Sequence, residues 1–223
     1  MKKILKEKKM LIVLMFSCGC AAMALDDDDL ERILSEKETD QYVTQLEEYL
    51  NSLKTIVSEF VQISRYGEKS SGYFILKRPD KMKLYYLPPA SDVIIAKNNK
   101  VTHYNRELKE KTMTSMHSSP LSFFLESKIN LRKNVTVLSA VELKNTMIIT
   151  FCKKNSDDDG AVALIFQKNP IKLLKWEIFN NKNEMTPWNS TKIILTDSKI
   201  NSKKIPDDEF EKFSEVSPEL AKK

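Results

Sequence analysis

The sequence predicts a mainly β fold with an α-helical lid. It reads as a curved antiparallel sheet forming an unclosed barrel of about eleven strands around an apolar cavity. Three observations predict it. From residue 56 onward, short apolar runs recur with the alternation of strands. Turn-forming clusters separate them: Tyr66-Gly-Glu-Lys69, Asn98-Asn99, Asn105-Arg-Glu107, Asp157-Asp-Asp-Gly160 and Asn180-Asn-Lys-Asn183. Two stretches, 30–54 and 117–129, carry helical spacing instead. A sheet of this many strands must curl to cover its apolar face, and the two helical elements are available to fill the concave side.

The N-terminus stands outside that fold. Met1 to Lys9 carries five lysines, Met10 to Phe16 is a short apolar run, and Ala22-Met-Ala24 is a small-residue cleavage pattern. This order reads as a secretory signal peptide, too short to anchor in a bilayer. We expect cleavage after Ala24, leaving residues 25–223 as one domain. Lipidation at Cys18 or Cys20, each in a poor lipobox-like context, is the rival reading.

The acidic run Leu25 to Asp29 reads as a solvated lead-in to the helical stretch 30–54. There Tyr42, Leu46, Leu50 and Leu53 form one apolar stripe, and Thr39 or Asp40 is a candidate cap. The strands follow at roughly 56–64, 72–78, 82–87, 92–97, 100–105 and 109–114, and then at 132–143, 146–154, 160–168, 171–179 and 190–200. Short turns between them predict a simple meander. Between the two groups lies 117-HSSPLSFFLESKI-129. Ser118 or Ser119 suits a cap, Pro120 suits the first helical position, and Leu121, Phe124 and Leu125 share one apolar side.

Composition narrows the function. The formal charge is +5, but residues 1–24 hold five Lys and one Glu, so cleavage leaves +1. A nucleic-acid partner then loses its electrostatic basis. Four glycines leave little room for a phosphate-binding loop. Cys152 is the one cysteine beyond the leader, so no internal disulfide is expected. In its apolar strand it reads as a small buried hydrophobe. His103 and His117 have no neighbours that suggest a triad or metal site, and the Asp157–Asp159 run lacks the ligand pattern of a calcium loop. No metal, cofactor or catalytic residue is expected, and the chain reads as a non-enzyme.

The stretch 72-GYFILKRPDKMKLYYLPP-89 carries the most information. Alternation places Gly72, Phe74, Leu76 and Arg78 on one face. On the next strand it places Met82, Leu84 and Tyr86 on one face, and Lys83 with Tyr85 on the other. If the first set faces inward, Phe74, Leu76, Met82, Leu84 and Tyr86 line a pocket with Arg78 at its edge. An arginine there must sit at a rim or meet acceptors, and the carbonyls after a short helix are suitable. The competing reading is a surface arginine whose stem lies on the sheet.

These residues resemble the periplasmic outer-membrane lipoprotein carrier proteins, the LolA family. The resemblance rests on Phe60-Val-Gln62, Gly72 to Pro79, the strand ending at Pro88-Pro89, Val101-Thr-His-Tyr104, Ser119 to Leu125, Thr191 to Thr196 and Ile205 to Phe210. Met82 and Leu84 stand where many members have Trp or Phe, and Asn98-Asn99 where they often have Asp-Gly. The resemblance implies a monomeric periplasmic carrier. It would take acylated lipoproteins from an inner-membrane ABC transporter and deliver them to an outer-membrane receptor. It also implies a lipid cavity that includes Phe60, a lid carrying Leu121, Phe124 and Leu125, and Arg78 as the lid latch. A sensor of lipid or lipoprotein, or a membrane-anchored lipoprotein receptor on a similar open barrel, is the alternative.

Overall fold

A computed structural model of the chain describes residues 31–116, 122–154, 160–186 and 189–221. Its elements run β1 (Arg32–Ile33), α1 (Glu36–Ser52), β2 (Thr55–Ile63), β3 (Lys69–Lys77), β4 (Lys81–Tyr86), β5 (Asp92–Lys97), β6 (Lys100–Asn105) and β7 (Glu110–Ser115). A 3₁₀ turn, Ser122–Leu125, precedes α2 (Leu131–Asn134). Then come β8 (Val135–Glu142), β9 (Thr146–Lys153), β10 (Ala161–Gln167), β11 (Lys172–Phe179) and β12 (Ser190–Ile200), a second 3₁₀ turn at Asp207–Glu211, and α3 (Pro218–Ala221).

The strands make one antiparallel sheet in the order β1-β8-β9-β10-β11-β12-β2-β3-β4-β5-β6-β7. Twelve strands replace the expected eleven because Arg32–Ile33, inside the stretch read as helical, pairs with Val141 and Glu142. The predicted meander becomes two meanders, β2–β7 and β8–β12, joined where β12 pairs with β2. β1 and β7 are the free ends, so the sheet is not closed.

This order constrains the link between the two meanders. β7 is one edge of the sheet and β8 sits next to the other. The link from β7 to β8 must therefore join the two edges, and its described part, residues 122–134, packs Phe123, Phe124, Leu125, Ile129 and Leu131 onto the apolar face. That face is strongly curled. Phe74 on β3 and Trp176 on β11 are three strands apart, roughly 14 Å in a flat sheet. Their ring centroids are 5.2 Å apart.

Local signals explain most element ends. Ser35 caps α1 in a capping box, its hydroxyl accepting from the Glu38 N–H while Glu38 accepts from the Ser35 N–H. This corrects the expected cap at Thr39 or Asp40, which lie one turn inside. Val43, Leu46 and Leu50 form the buried stripe, with Leu53 just after it. Asn98 and Asn99 both take left-handed φ values, 49° and 62°, as a two-residue hairpin turn requires. The strand expected from 132 begins instead at Val135, because Leu131–Asn134 forms a helical turn capped by Asn130. Cys152 is only half-buried on β9, which corrects its reading as a buried hydrophobe.

Both faces of β3 and β4 are covered. One side holds the main core, including Phe60, Phe74, Leu76, Leu84 and Tyr86 under α1 and the 122–125 turn. On the other, Ile75, Val93 and Ile95 pack against Ile205, Phe210 and Leu220 of the C-terminal segment. Lys83, which alternation places with Tyr85 on the face opposite Leu84, is fully buried beneath that segment. Its ammonium donates to Glu209 Oε1 at 2.6 Å and to the carbonyls of Glu215 at 2.7 Å and Glu209 at 3.2 Å. Burial pushes the Lys83 pKa down, and the Glu209 carboxylate pulls against it.

Candidate functional site

Beneath the crossing segment, between β3–β6 and β10–β11, lies an apolar cavity. The sheet contributes Phe74, Met82, Val101, Leu164 and Trp176. The crossing segment contributes Met116, Ser122, Phe124 and Leu125. The void that remains is about 50 Å³. At roughly 10–15 Å³ per water, that admits a few solvent molecules and no acyl chain. The cavity is small because the 3₁₀ turn fills it: Phe123, Phe124 and Leu125 are all buried, and Phe123 also packs its ring near Phe151.

Of the residues nominated from sequence, Phe74, Met82, Phe124 and Leu125 border the void. Phe60, Leu76, Leu84 and Tyr86 stand in the same core around it. Phe60 and Tyr86 meet edge to face with centroids 5.1 Å apart. The Tyr86 hydroxyl donates to Gln62 Oε1 at 2.7 Å, and burial raises its pKa to about 12. Leu121 and His117 lie outside the described residues. Sequence reading missed Phe123, Met116, Leu164 and Trp176. Alternation assigns Leu164 and Trp176 to a face, but only the curl brings that face to Phe74.

Gly72 lies inside β3 at a point where nothing larger fits. A Cβ there would lie 2.0 Å from the Tyr85 carbonyl oxygen and 2.9 Å from a Phe60 ring carbon. Two residues beyond Leu76 on the same face, Arg78 reaches the rim. One guanidinium nitrogen donates to the Leu50 carbonyl at the end of α1. The other donates to the Glu126 carbonyl at 2.5 Å, with the Ser127 carbonyl at 3.5 Å. These are backbone acceptors that the helix end and the 3₁₀ turn leave unpaired. Burial lowers the Arg78 pKa, while the Glu126 charge opposes that shift.

Further bonds hold the same segment. The Asp80 N–H donates to the Leu125 carbonyl at 2.9 Å. Downstream, Asn51 on α1 pairs with both backbone groups of Ile129, each at 2.9 Å, and Glu47 accepts from the Leu131 N–H at 2.8 Å. Upstream, the Met116 N–H donates to the Asn99 carbonyl at 3.0 Å. The 122–128 stretch is thus held just downstream at Ile129 and Leu131, and in its middle by Arg78 and the Asp80 amide.

The other nominated groups lie elsewhere. His103 contacts Asp92 at 2.7 Å on the exposed end of β6. Among the described residues no group of three or more His, Cys, Asp or Glu is placed to hold a metal ion. No described helix is long and apolar enough to cross a membrane.

Residues 51–211 match the family model described as outer membrane lipoprotein carrier protein LolA. An outer-membrane lipoprotein carrier protein of Dechloromonas aromatica is 27% identical over 161 residues, covering 68% of this chain and 76% of its own. An uncharacterized protein of Rickettsia prowazekii is 24% identical over 145 residues, covering 65% and 67%. Among solved structures, a LolA superfamily protein from Nitrosomonas europaea superposes with a TM-score of 0.42 at 10% identity, over 75% of this chain and 96% of that one.

Proposed function

This chain belongs to the outer membrane lipoprotein carrier protein LolA family, and we propose on that premise that it carries acylated lipoproteins by enclosing their acyl chains. The observation that carries the proposal is an apolar concave face closed by a short aromatic turn, with Arg78 holding the turn through backbone carbonyls. Phe123, Phe124 and Leu125 act as the lid, Arg78 as its latch, and the walls around Phe74, Met82 and Trp176 receive the chains. We further propose that residues 1–24 direct export and are removed, that the chain works in the periplasm, and that it binds without catalysing. An inner-membrane ABC transporter would supply its cargo and an outer-membrane receptor would accept it.

The energetics favour a filled rather than an open empty state. Burying methylenes yields roughly 0.8 kcal/mol each, so a dozen offer on the order of 10 kcal/mol. A preformed cavity of that strength would not release its load, and when empty it would expose an adhesive apolar surface. A lid that occupies the cavity competes with the acyl chains and lowers net affinity, which makes loading reversible.

The test is extraction. Purified protein, incubated with membrane vesicles bearing a lipoprotein and the releasing transporter, should yield a soluble one-to-one complex. Cargo lacking acyl chains should give none. Equal capture of acylated and unacylated cargo would rule the reading out.

A further inference from the structure

We infer that Trp176 supplies a hydrogen-bond donor for an ester carbonyl of the bound acyl group, so that the cavity prefers acyl esters to bare alkyl chains. The inference rests on the carrier reading above. Trp176 lies mid-strand on β11, opposite Leu164 of β10 and Ile193 of β12, all on the concave face. Only 4% of it is exposed, and its ring lies against Phe74 with an interplanar angle of 61°. It borders the void directly. Its indole nitrogen is buried and has no acceptor among the described residues.

That state is unusual. An indole N–H donates and cannot accept, and a buried tryptophan ordinarily finds a partner for it. A buried donor left unpaired destabilises the state that contains it. The side chains around it, Phe74, Leu164 and Ile193, offer only hydrocarbon. A phenylalanine would complete such a wall without the unpaired group. Among the described residues the cavity's other polar lining residue is Ser122, which belongs to the lid turn. Once that turn moves out, the Trp176 N–H is, among the described lining residues, the polar group fixed to the rigid sheet. An acyl ester brings a carbonyl oxygen at the head of its chain, and that oxygen satisfies the donor. The same bond sets how deeply the chain sits. Unpaired in the closed form and paired in the loaded form, the N–H also biases the balance toward loading.

The experiment measures binding of two probes to the purified chain. One is a synthetic diacylglyceryl-cysteinyl peptide, the other its dialkyl ether counterpart of equal chain length. The wild type should bind the ester about fivefold more tightly, the worth of one hydrogen bond. Trp176→Phe should lose the preference and bind the two probes alike. Equal binding of the two probes by the wild type, or an undiminished preference in Trp176→Phe, overturns the inference and leaves the carrier reading standing. Binding of neither probe overturns both. Should Trp176→Phe not fold, infrared spectra of a carbonyl-labelled ester decide on the wild type. A downshifted ester stretch on binding supports the bond, and an unshifted band refutes it.

Discussion

Arg78 donates to the carbonyl of Glu126 at 2.5 Å while its other terminal nitrogen donates to the carbonyl of Leu50. One planar guanidinium thereby ties the end of α1 to the turn that plugs the cavity. A lysine, with a single compact ammonium, does not span two acceptors in this fixed fork. Arg78→Leu should fold but lose about 1–3 kcal/mol, since the carbonyl of the buried Leu50 loses its donor. With the closed form weakened, cargo should load readily and leave slowly. Thermal melts and transfer of a lipoprotein between two membranes measure both effects. Transfer at the wild-type rate would sink the latch.

Phe124 borders the cavity and is buried in the closed form. Phe124→Ala should therefore destabilise the empty protein by roughly 3 kcal/mol. If the turn competes with the lipid as proposed, affinity for an acylated peptide should rise severalfold. Calorimetric titration tests this, and unchanged or weaker binding would show that the turn does not compete.

The buried pair of Lys83 and Glu209 holds the C-terminal segment on the outer face. Lys83→Met strands the Glu209 carboxylate away from water and should cost about 3–5 kcal/mol. The double variant Lys83→Met with Glu209→Leu should recover most of that loss. A double-mutant cycle from urea unfolding reads the coupling; additive losses would mean that the pair does not act as a unit.

Acid should loosen the other end of the sheet. Glu142 on β8 accepts from Arg32 of β1, from Lys168 at 3.0 Å and from the Tyr42 hydroxyl of α1 at 3.0 Å. The hydrogen bond from Arg32, followed by that from Lys168, holds its carboxyl at about 2, below its ordinary 4.5. The unfolded chain therefore takes up this proton first. The stabilisation is complete above pH 4.5 and is lost as pH falls toward 2. Glu142→Gln should be slightly less stable at pH 7 and show a shallower loss of stability over that window. An acid slope identical to that of the wild type would contradict this.

What the sequence made legible was local. Alternation and turn residues located the strands from β2 onward, and the Asn98-Asn99 hairpin formed as its residue types require. Arg78 was legible because an arginine on an oily face needs acceptors, and the carbonyls of Leu50 and Glu126 meet that need. What stayed hidden depended on pairings distant in sequence. The burial of Lys83 depends on Glu209, far along the chain, folding over it. The β12–β2 pairing, and with it the placement of the 122–125 turn over the cavity, leaves no trace in any one window. β1 has only two residues and no period to read. The cap at Ser35 did leave a signal, because Ser35-Glu-Lys-Glu38 is a capping box placed ahead of the apolar stripe.

The account stands or falls on whether acyl chains take the place of the 122–125 turn. The Asp80 amide reports this directly, since it donates to the Leu125 carbonyl in the closed form. Hydrogen exchange at Asp80 and Glu126 should be followed with and without a saturating diacylglyceryl-cysteinyl peptide. Loading should speed exchange at both amides while Ile75 and Leu164 in the sheet stay protected. Exchange at Asp80 that slows or does not change, with peptide demonstrably bound, would mean that the turn stays seated and that the lipid lies elsewhere.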